Sequence, residues 1–208
     1  MEADKLPPEI AEQVKKAVTI LKEGGVVAFP TDTVYGLGAL AESQKAVERV
    51  FALKKRSKTM PLPLLVSDMS HLDELAATPG PMAWRLATLF WPGGLTLIVP
   101  ASKKVPKFIG GGKKVALRIP DDAVALAIIK DLGKPIVGTS ANYTGRPAAV
   151  TAAEVEQCFG DRVDLIIDAG RLPGGKESTI VDITGQKARI VREGVVTRAQ
   201  IAEVCPVD

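Results

Sequence analysis

What most limits the folds open to this chain is the alternation of short apolar runs with amphipathic stretches. Val26-Val27-Ala28-Phe29 is one such run, and LPLLV (62–66), LTLIV (95–99) and VALRI (115–119) are others. Runs this short, bounded by Pro, Gly or polar residues, read as buried strands. Elsewhere the apolar spacing changes to three and four. Ile10, Val14, Val18 and Leu21 share one face of a helix from Pro8 to Glu23, stopped by Gly24-Gly25. Further helices are expected from about Ser43, near 68–77, over 81–90 behind Pro81, and from Asp121 or Asp122 to Leu132. Thr151 and Glu154 have capping-box spacing and open a helix ending near Gly160, and a short helix follows Thr197. TDTVYGLGA, between the first strand and the second helix, reads as a loop. KPIVGTS, DLIIDAG, STIVDI and ARIVRE are further strand candidates, the last two close enough to form a hairpin. Helix–strand alternation favours parallel pairing and a hairpin is antiparallel. The expected fold is therefore one α/β domain over residues 1–208, with a mixed sheet flanked by helices.

Composition removes several function classes. With 46% hydrophobic and 25% charged residues the chain can bury a core and is not disordered. Aromatics at 4% leave that core to Val, Leu, Ile and Ala. No apolar run approaches the roughly 18 residues of a membrane helix. MEADKLPPEI lacks the apolar centre of a secretory signal, so a cytoplasmic protein without a membrane partner is expected. Cys158 and Cys205 alone cannot build a disulfide framework or a zinc site. The one histidine, His71, lies in SDMSHLDEL, which reads as a surface helix. Histidine- and thiol-based chemistry is set aside, and no metal ligands are assigned.

The net charge of +3 is small, but the charges are unevenly placed. No Asp or Glu occurs from Leu75 through Pro120, a stretch that carries Arg85, Lys103, Lys104, Lys107, Lys113, Lys114 and Arg118. Lys54, Lys55, Arg56 and Lys58 form a second cluster at the end of a helix, denser than a helix cap requires. Such asymmetry favours an anionic ligand. Lys103, Lys104 and Lys107 read as ordinary solvated loop lysines.

Two phosphate-loop patterns fail on inspection. GRLPGGK at 170–176 begins like a P-loop, but Glu177 stands where Ser or Thr is needed and a strand follows instead of a helix. GLGALA at 36–41 is separated from the preceding strand by Pro30 and a polar loop, and lacks the later acidic residue of a dinucleotide site. What remains is a set of polar loops at strand or helix ends. PTDTVYGL (30–37) offers short hydroxyls and glycine, and GTSANYTG (138–145) offers hydroxyl, amide and backbone donors. Arg118, inside an apolar strand, has the character of a carboxylate clamp if it faces a cleft.

PTDTVYGL, then Lys54 and Arg56 followed by Pro61-Leu62, then WPGGLTLI, ALRIP, TSANYTGRP, STIVD and IVREG together resemble the YrdC family, the L-threonylcarbamoyl-AMP synthases. The resemblance runs from about Ile10 to Val195. It implies an open twisted mixed sheet with a large basic concave cavity. With the chain ending at Asp208, the single-domain form of the family is expected. The implied reaction joins L-threonine, bicarbonate and ATP, with Mg²⁺ accompanying the ATP, into threonylcarbamoyl-AMP and pyrophosphate. Downstream transferase proteins would use the product to modify position 37 of ANN-decoding tRNAs. The chain departs from the family at Ser57, where Pro is usual, at Gly94, where Pro is common, and in LPLLV, which lacks the histidine of some members.

By the same resemblance Lys54 and Arg56 are the catalytic cations. Lys54, Arg56, Lys58, Ser140, Asn142 and Arg192 are the ATP contacts, and Thr31, Arg118, Thr139 and Ser178 surround threonine, with Tyr35 walling the pocket. Two other readings stand beside this one. A carbamoyl-adenylate-forming domain related to hydrogenase-maturation carbamoyltransferases accompanies Cys-rich zinc modules that two cysteines cannot supply. A module binding double-stranded RNA or tRNA without catalysis fits the basic stretch but not the scarcity of aromatic stacking residues.

Overall fold

The computed structural model describes residues 6–110, 112–173 and 175–208. The MEADK segment, Gly111 of the basic connection and Gly174 of the 170–176 segment lie outside the described residues. Helix α1 (Pro8–Lys22) leads into strands β1 (Val26–Phe29) and β2 (Gly36–Leu40), then α2 (Gln44–Lys54) and β3 (Leu64–Leu65). Helices α3 (Ser70–Leu75) and α4 (Pro81–Phe90) precede the pair β4 (Leu95–Pro100) and β5 (Lys114–Arg118). Next come α5 (Ala123–Leu132), β6 (Ile136–Ser140), α6 (Ala152–Phe159) and β7 (Leu165–Ile166). Strands β8 (Thr179–Asp182) and β9 (Arg189–Arg192) and helix α7 (Arg198–Ala202) follow. No helix among the described residues is long and apolar enough to cross a membrane.

The strands form one mixed sheet in the order β7-β1-β2-β6-β3-β5-β4-β8-β9. Pairs β1/β7, β3/β5 and β4/β8 are parallel, whereas β1/β2, β2/β6, β3/β6, β4/β5 and the hairpin β8/β9 are antiparallel. The expected α/β mixed sheet and its terminal hairpin are both present. DLIIDAG shrinks to the two residues of β7, and the loop expected over TDTVYGLGA gives way at Gly36 to a central strand. Glycine suits that strand because Phe29 lies against it: a Cβ on Gly38 would fall 2.7 Å from the Phe29 ring. At α6 the expected capping box is only half formed. Thr151 accepts from the Glu154 amide, but the Glu154 carboxylate takes the Val150 amide instead.

Alternation along the strands assigns the two faces of the sheet different work. Leu95, Leu97, Val99, Val115, Leu117 and Val181 point into the larger core cluster, which also holds Val47 and Phe51 of α2 and Leu86 of α4. On the opposite face α1 and α5 pack over Val27, Phe29, Leu65 and Ile136 with Val14, Leu21, Ile128 and Ile129. Leu65 also lines a cleft, so the cleft opens on this second face where the two helices stop covering it. There the strands present Gly36, Gly138, Ser140, Thr96, Arg118 and Ile180, residues mostly too small to fill the space.

The hairpin end of the cleft depends on Gly194. Its amide donates to Thr179 Oγ1, and a Cβ on it would lie 2.0 Å from the Glu177 carbonyl oxygen, which is backbone and cannot swing away. Gly194→Ala is therefore expected to destabilise the protein by about 1–3 kcal/mol, as overpacking does. That corresponds to a fall in Tm of roughly 2–4 °C per kcal/mol for a chain of this size. A thermal melt indistinguishable from wild type contradicts this.

Candidate functional site

The cleft crosses every strand from β2 to β9 in sheet order, and its empty space, counted together with the open solvent at its mouth, amounts to about 610 Å³. Arg56, Arg118 and Arg192 line it, with Glu177 as the one carboxylate among its described lining residues. A second, more open cleft joins it through Val34, Glu177 and Arg192 and extends to Arg146 and Lys176.

At one end stands Arg118, the last residue of β5, 7% exposed. Its Nε donates to the Gly93 carbonyl at 2.9 Å, and Nη2 donates to Asp32 Oδ1 at 2.6 Å. Both terminal nitrogens reach Thr33 Oγ1 at 3.3 Å. Burial lowers the Arg118 pKa, and Asp32 opposes that shift. An arginine fixed by a carboxylate, a carbonyl and a hydroxyl is pre-organised, and its remaining Nη1 N–H can be offered to a second carboxylate. Thr31 is buried beside it, but its hydroxyl donates to the Val34 carbonyl at 2.7 Å and accepts the Thr33 and Val34 amides. Thr31 thus shapes the loop that presents Thr33. Tyr35, fully buried, walls the cleft and anchors the neighbouring segment, donating to the Gly170 carbonyl and accepting the Ala169 amide.

Lys54 ends α2 and is only 2% exposed. Its ammonium donates to the Ser140 carbonyl and to Asn142 Oδ1, each at 2.6 Å, and reaches Ser140 Oγ at 3.4 Å. No carboxylate pairs with it among the described residues. Burial, with the nearby Arg56 charge second, pushes its pKa down to about 8. Ser140 Oγ donates to Asn142 Oδ1, Asn142 donates to the Arg146 carbonyl, and Thr144 returns to the Lys54 carbonyl. Lys54 thereby ties the end of a helix to the loop that follows β6.

Arg56 donates from Nε to the Met60 carbonyl and from Nη2 to the Pro61 carbonyl, leaving Nη1 without a partner among the described residues. Burial lowers its pKa, and Arg192 adds to the effect. Arg192, on β9, grips the Ser178 carbonyl with Nε and Nη2 and pairs through Nη1 with Glu177. Ser178 Oγ is 2.9 Å from Thr96 Oγ1. Convergent guanidiniums held by backbone carbonyls form a site for anions that pays little reorganisation cost on binding.

Of the residues expected from the sequence, Thr31, Arg56, Arg118, Thr139, Ser140, Ser178 and Arg192 line this one cleft. Lys54 and Asn142 lie behind it and meet Ser140. Lys58 is on the surface, its ammonium paired with Glu48 at 3.0 Å. The basic stretch sends only Arg118 into the cleft, while Lys104 pairs with Glu74 and Lys114 with Asp182. Thr33, Thr96 and Glu177 were not expected. Thr33 stood inside PTDTVYGL and Thr96 at an outward position of LTLIV, a signal that alternation alone carried.

Comparison with known proteins identifies the family and the fold. The family model for Sua5, YciO and YrdC, described as "Telomere recombination", matches residues 19–194. The threonylcarbamoyl-AMP synthase of Bacillus subtilis is 38% identical over 194 residues, 92% of this chain and 56% of that protein. The crystal structure of Pyrococcus abyssi Sua5 complexed with L-threonine superposes with a TM-score of 0.89 at 38% identity, covering 94% of this chain and 58% of that one. E. coli YciO superposes with a TM-score of 0.84 at 30% identity, covering 91% and 93%. The chain thus spans little more than half the length of the B. subtilis and P. abyssi proteins.

The environment of Lys54 has a direct readout. Its folded pKa of about 8 lies below the ordinary lysine value near 10.4, so raising the pH through 8 should deprotonate it in the folded protein while other lysines stay charged. Side-chain NMR of labelled lysines should show one ammonium titrating near pH 8 and absent from Lys54→Met. If every lysine titrates above 10, the desolvated bridge is misassigned.

Proposed function

The chain belongs to the Sua5, YciO and YrdC family, and from that premise we propose that it is a threonylcarbamoyl-AMP synthase acting on L-threonine, bicarbonate and ATP. The observation that carries this reading is the single cleft lined by Arg56, Arg118 and Arg192, which offers cations for a carboxylate and for phosphates together. The neutral threonine amine adds to carbon dioxide with loss of a proton, or condenses with bicarbonate with loss of water, to give a carbamate. A carbamate oxygen then attacks the α-phosphorus of ATP, and pyrophosphate leaves. Two anions must meet, so the work falls to fixed cations and positioning rather than to a covalent nucleophile.

In this assignment Arg118 takes the threonine carboxylate, with Thr33, Thr139 and Ser178 around the amino acid. Thr31 contributes by shaping the loop. Arg56 and Arg192 take phosphates, Ser140 and Asn142 contact the nucleotide, and Lys54 acts by holding these two in place. Lys58, paired with Glu48 on the surface, is the weakest of the expected ATP contacts. Mg²⁺ enters as the counter-ion of ATP: among the described residues no three His, Cys, Asp or Glu side chains group to hold a metal. Asp32 is engaged by Arg118, and Asp182 by Lys114, Thr184 and Arg189. Nucleotidyl transfer, handover of the adenylate to transferase proteins that modify tRNA, and a cytoplasmic location complete the proposal. The carbamoyl-adenylate alternative is not favoured, since the relatives at 38% identity include a named threonylcarbamoyl-AMP synthase and a threonine-bound Sua5.

Purified protein given ATP and Mg²⁺ should release pyrophosphate only when threonine and bicarbonate are both present, and release without either one refutes the reaction. Arg56→Ala should weaken ATP binding, and Arg118→Lys should weaken threonine binding, since lysine keeps the charge but loses the fork. Each should lower turnover tens- to hundreds-fold, about 2–4 kcal/mol for a lost charge-assisted contact. Calorimetric profiles that do not separate the two variants contradict the division of the cleft.

A further inference from the structure

Glu177 is the carboxylate that the sequence pattern set aside and the reaction scheme leaves unused. One of its oxygens, Oε2, accepts from Arg192, while Oε1 takes no hydrogen bond among the described residues, although the side chain lines the cleft. An α-amino acid brings an ammonium as well as a carboxylate. A cleft furnished with three arginines repels that ammonium unless an anion or free acceptors receive it. Two hydroxyls at the Arg118 end are engaged already: Thr31 Oγ1 donates to the Val34 carbonyl, and Thr33 Oγ1 accepts from Arg118. Direction decides the rest. Glu177 is ion-paired with Arg192, one of the two arginines assigned to phosphate. Glu177 therefore lies toward the phosphate end. With its carboxylate on Arg118, a bound amino acid turns its amine toward that end, where the carbamate must meet ATP.

The geometry points to Glu177 Oε1 as the acceptor of the substrate ammonium, making Glu177 the residue that selects α-amino acids over the corresponding 2-hydroxy acids. This rests on the synthase reading and adds a specificity residue to it.

The test is equilibrium binding of L-threonine, of its analogue with hydroxyl in place of the amine (2,3-dihydroxybutanoate), and of ATP, to wild type, Glu177→Gln and Glu177→Asp. Wild type should prefer threonine over the analogue by about tenfold or more, the size of one charge-assisted contact. Glu177→Gln should lose most of that preference without losing ATP affinity, since Arg192 keeps its charge, and Glu177→Asp, which keeps the carboxylate, should retain part of the preference. A Glu177→Gln protein that keeps the preference but loses ATP affinity overturns the proposal and leaves Glu177 as a support for Arg192. Wild type that binds neither threonine nor ATP overturns the synthase reading itself, and this proposal with it.

Discussion

A strand residue can face only one side of its sheet, and the site follows from how this chain uses that constraint. On one side Leu95, Leu97, Leu117 and Val181 are covered by helices and form the larger core. Between them, on the other side, Thr96, Arg118 and Ile180 meet Gly36, Gly138 and Ser140 from neighbouring strands. Helices α1 and α5 cover only part of that side. The remainder stays open because its side chains are too small to close it and too polar to be buried dry.

Within the cleft the cations are held in a common way. Arg118 leans on the Gly93 carbonyl and Asp32, Arg56 on the carbonyls of Met60 and Pro61, and Arg192 on the carbonyl of Ser178. Lys54 is bonded to the Ser140 carbonyl and Asn142. Each cation is oriented by backbone or amide dipoles, and only Arg118 and Arg192 also meet a carboxylate, Asp32 and Glu177 respectively. The cations therefore keep their capacity for an incoming anion while losing the freedom that binding would otherwise have to freeze.

Much of this was legible in the residues before the fold was known. The strands from VVAF to ARIVRE, the helix faces and the loops TSANYTGRP and PTDTVYGL carry short-range signals, and most of the expected site residues do line one cleft. What was hidden depended on contacts between distant segments. GLGAL read as a loop because glycine is a poor strand former, yet the Phe29 ring beside Gly36 and Gly38 makes small residues necessary there. Lys54 and Lys58 look alike in sequence, but one is sealed against Ser140 and the other meets Glu48 in solvent. Glu177 drew notice only for spoiling a P-loop pattern, and its place beside Arg192 appears only when β8 and β9 pair.

In the proposed reaction one cleft holds an amino-acid carboxylate at Arg118 and nucleotide phosphates at Arg56 and Arg192. A crystal structure of the protein with L-threonine and a non-hydrolysable ATP analogue tests it most directly. The threonine carboxylate should lie on the Arg118 guanidinium, the phosphates between Arg56 and Arg192, and the amine should turn toward the α-phosphate. Threonine found outside the cleft, or phosphates seated on Arg118, would contradict it.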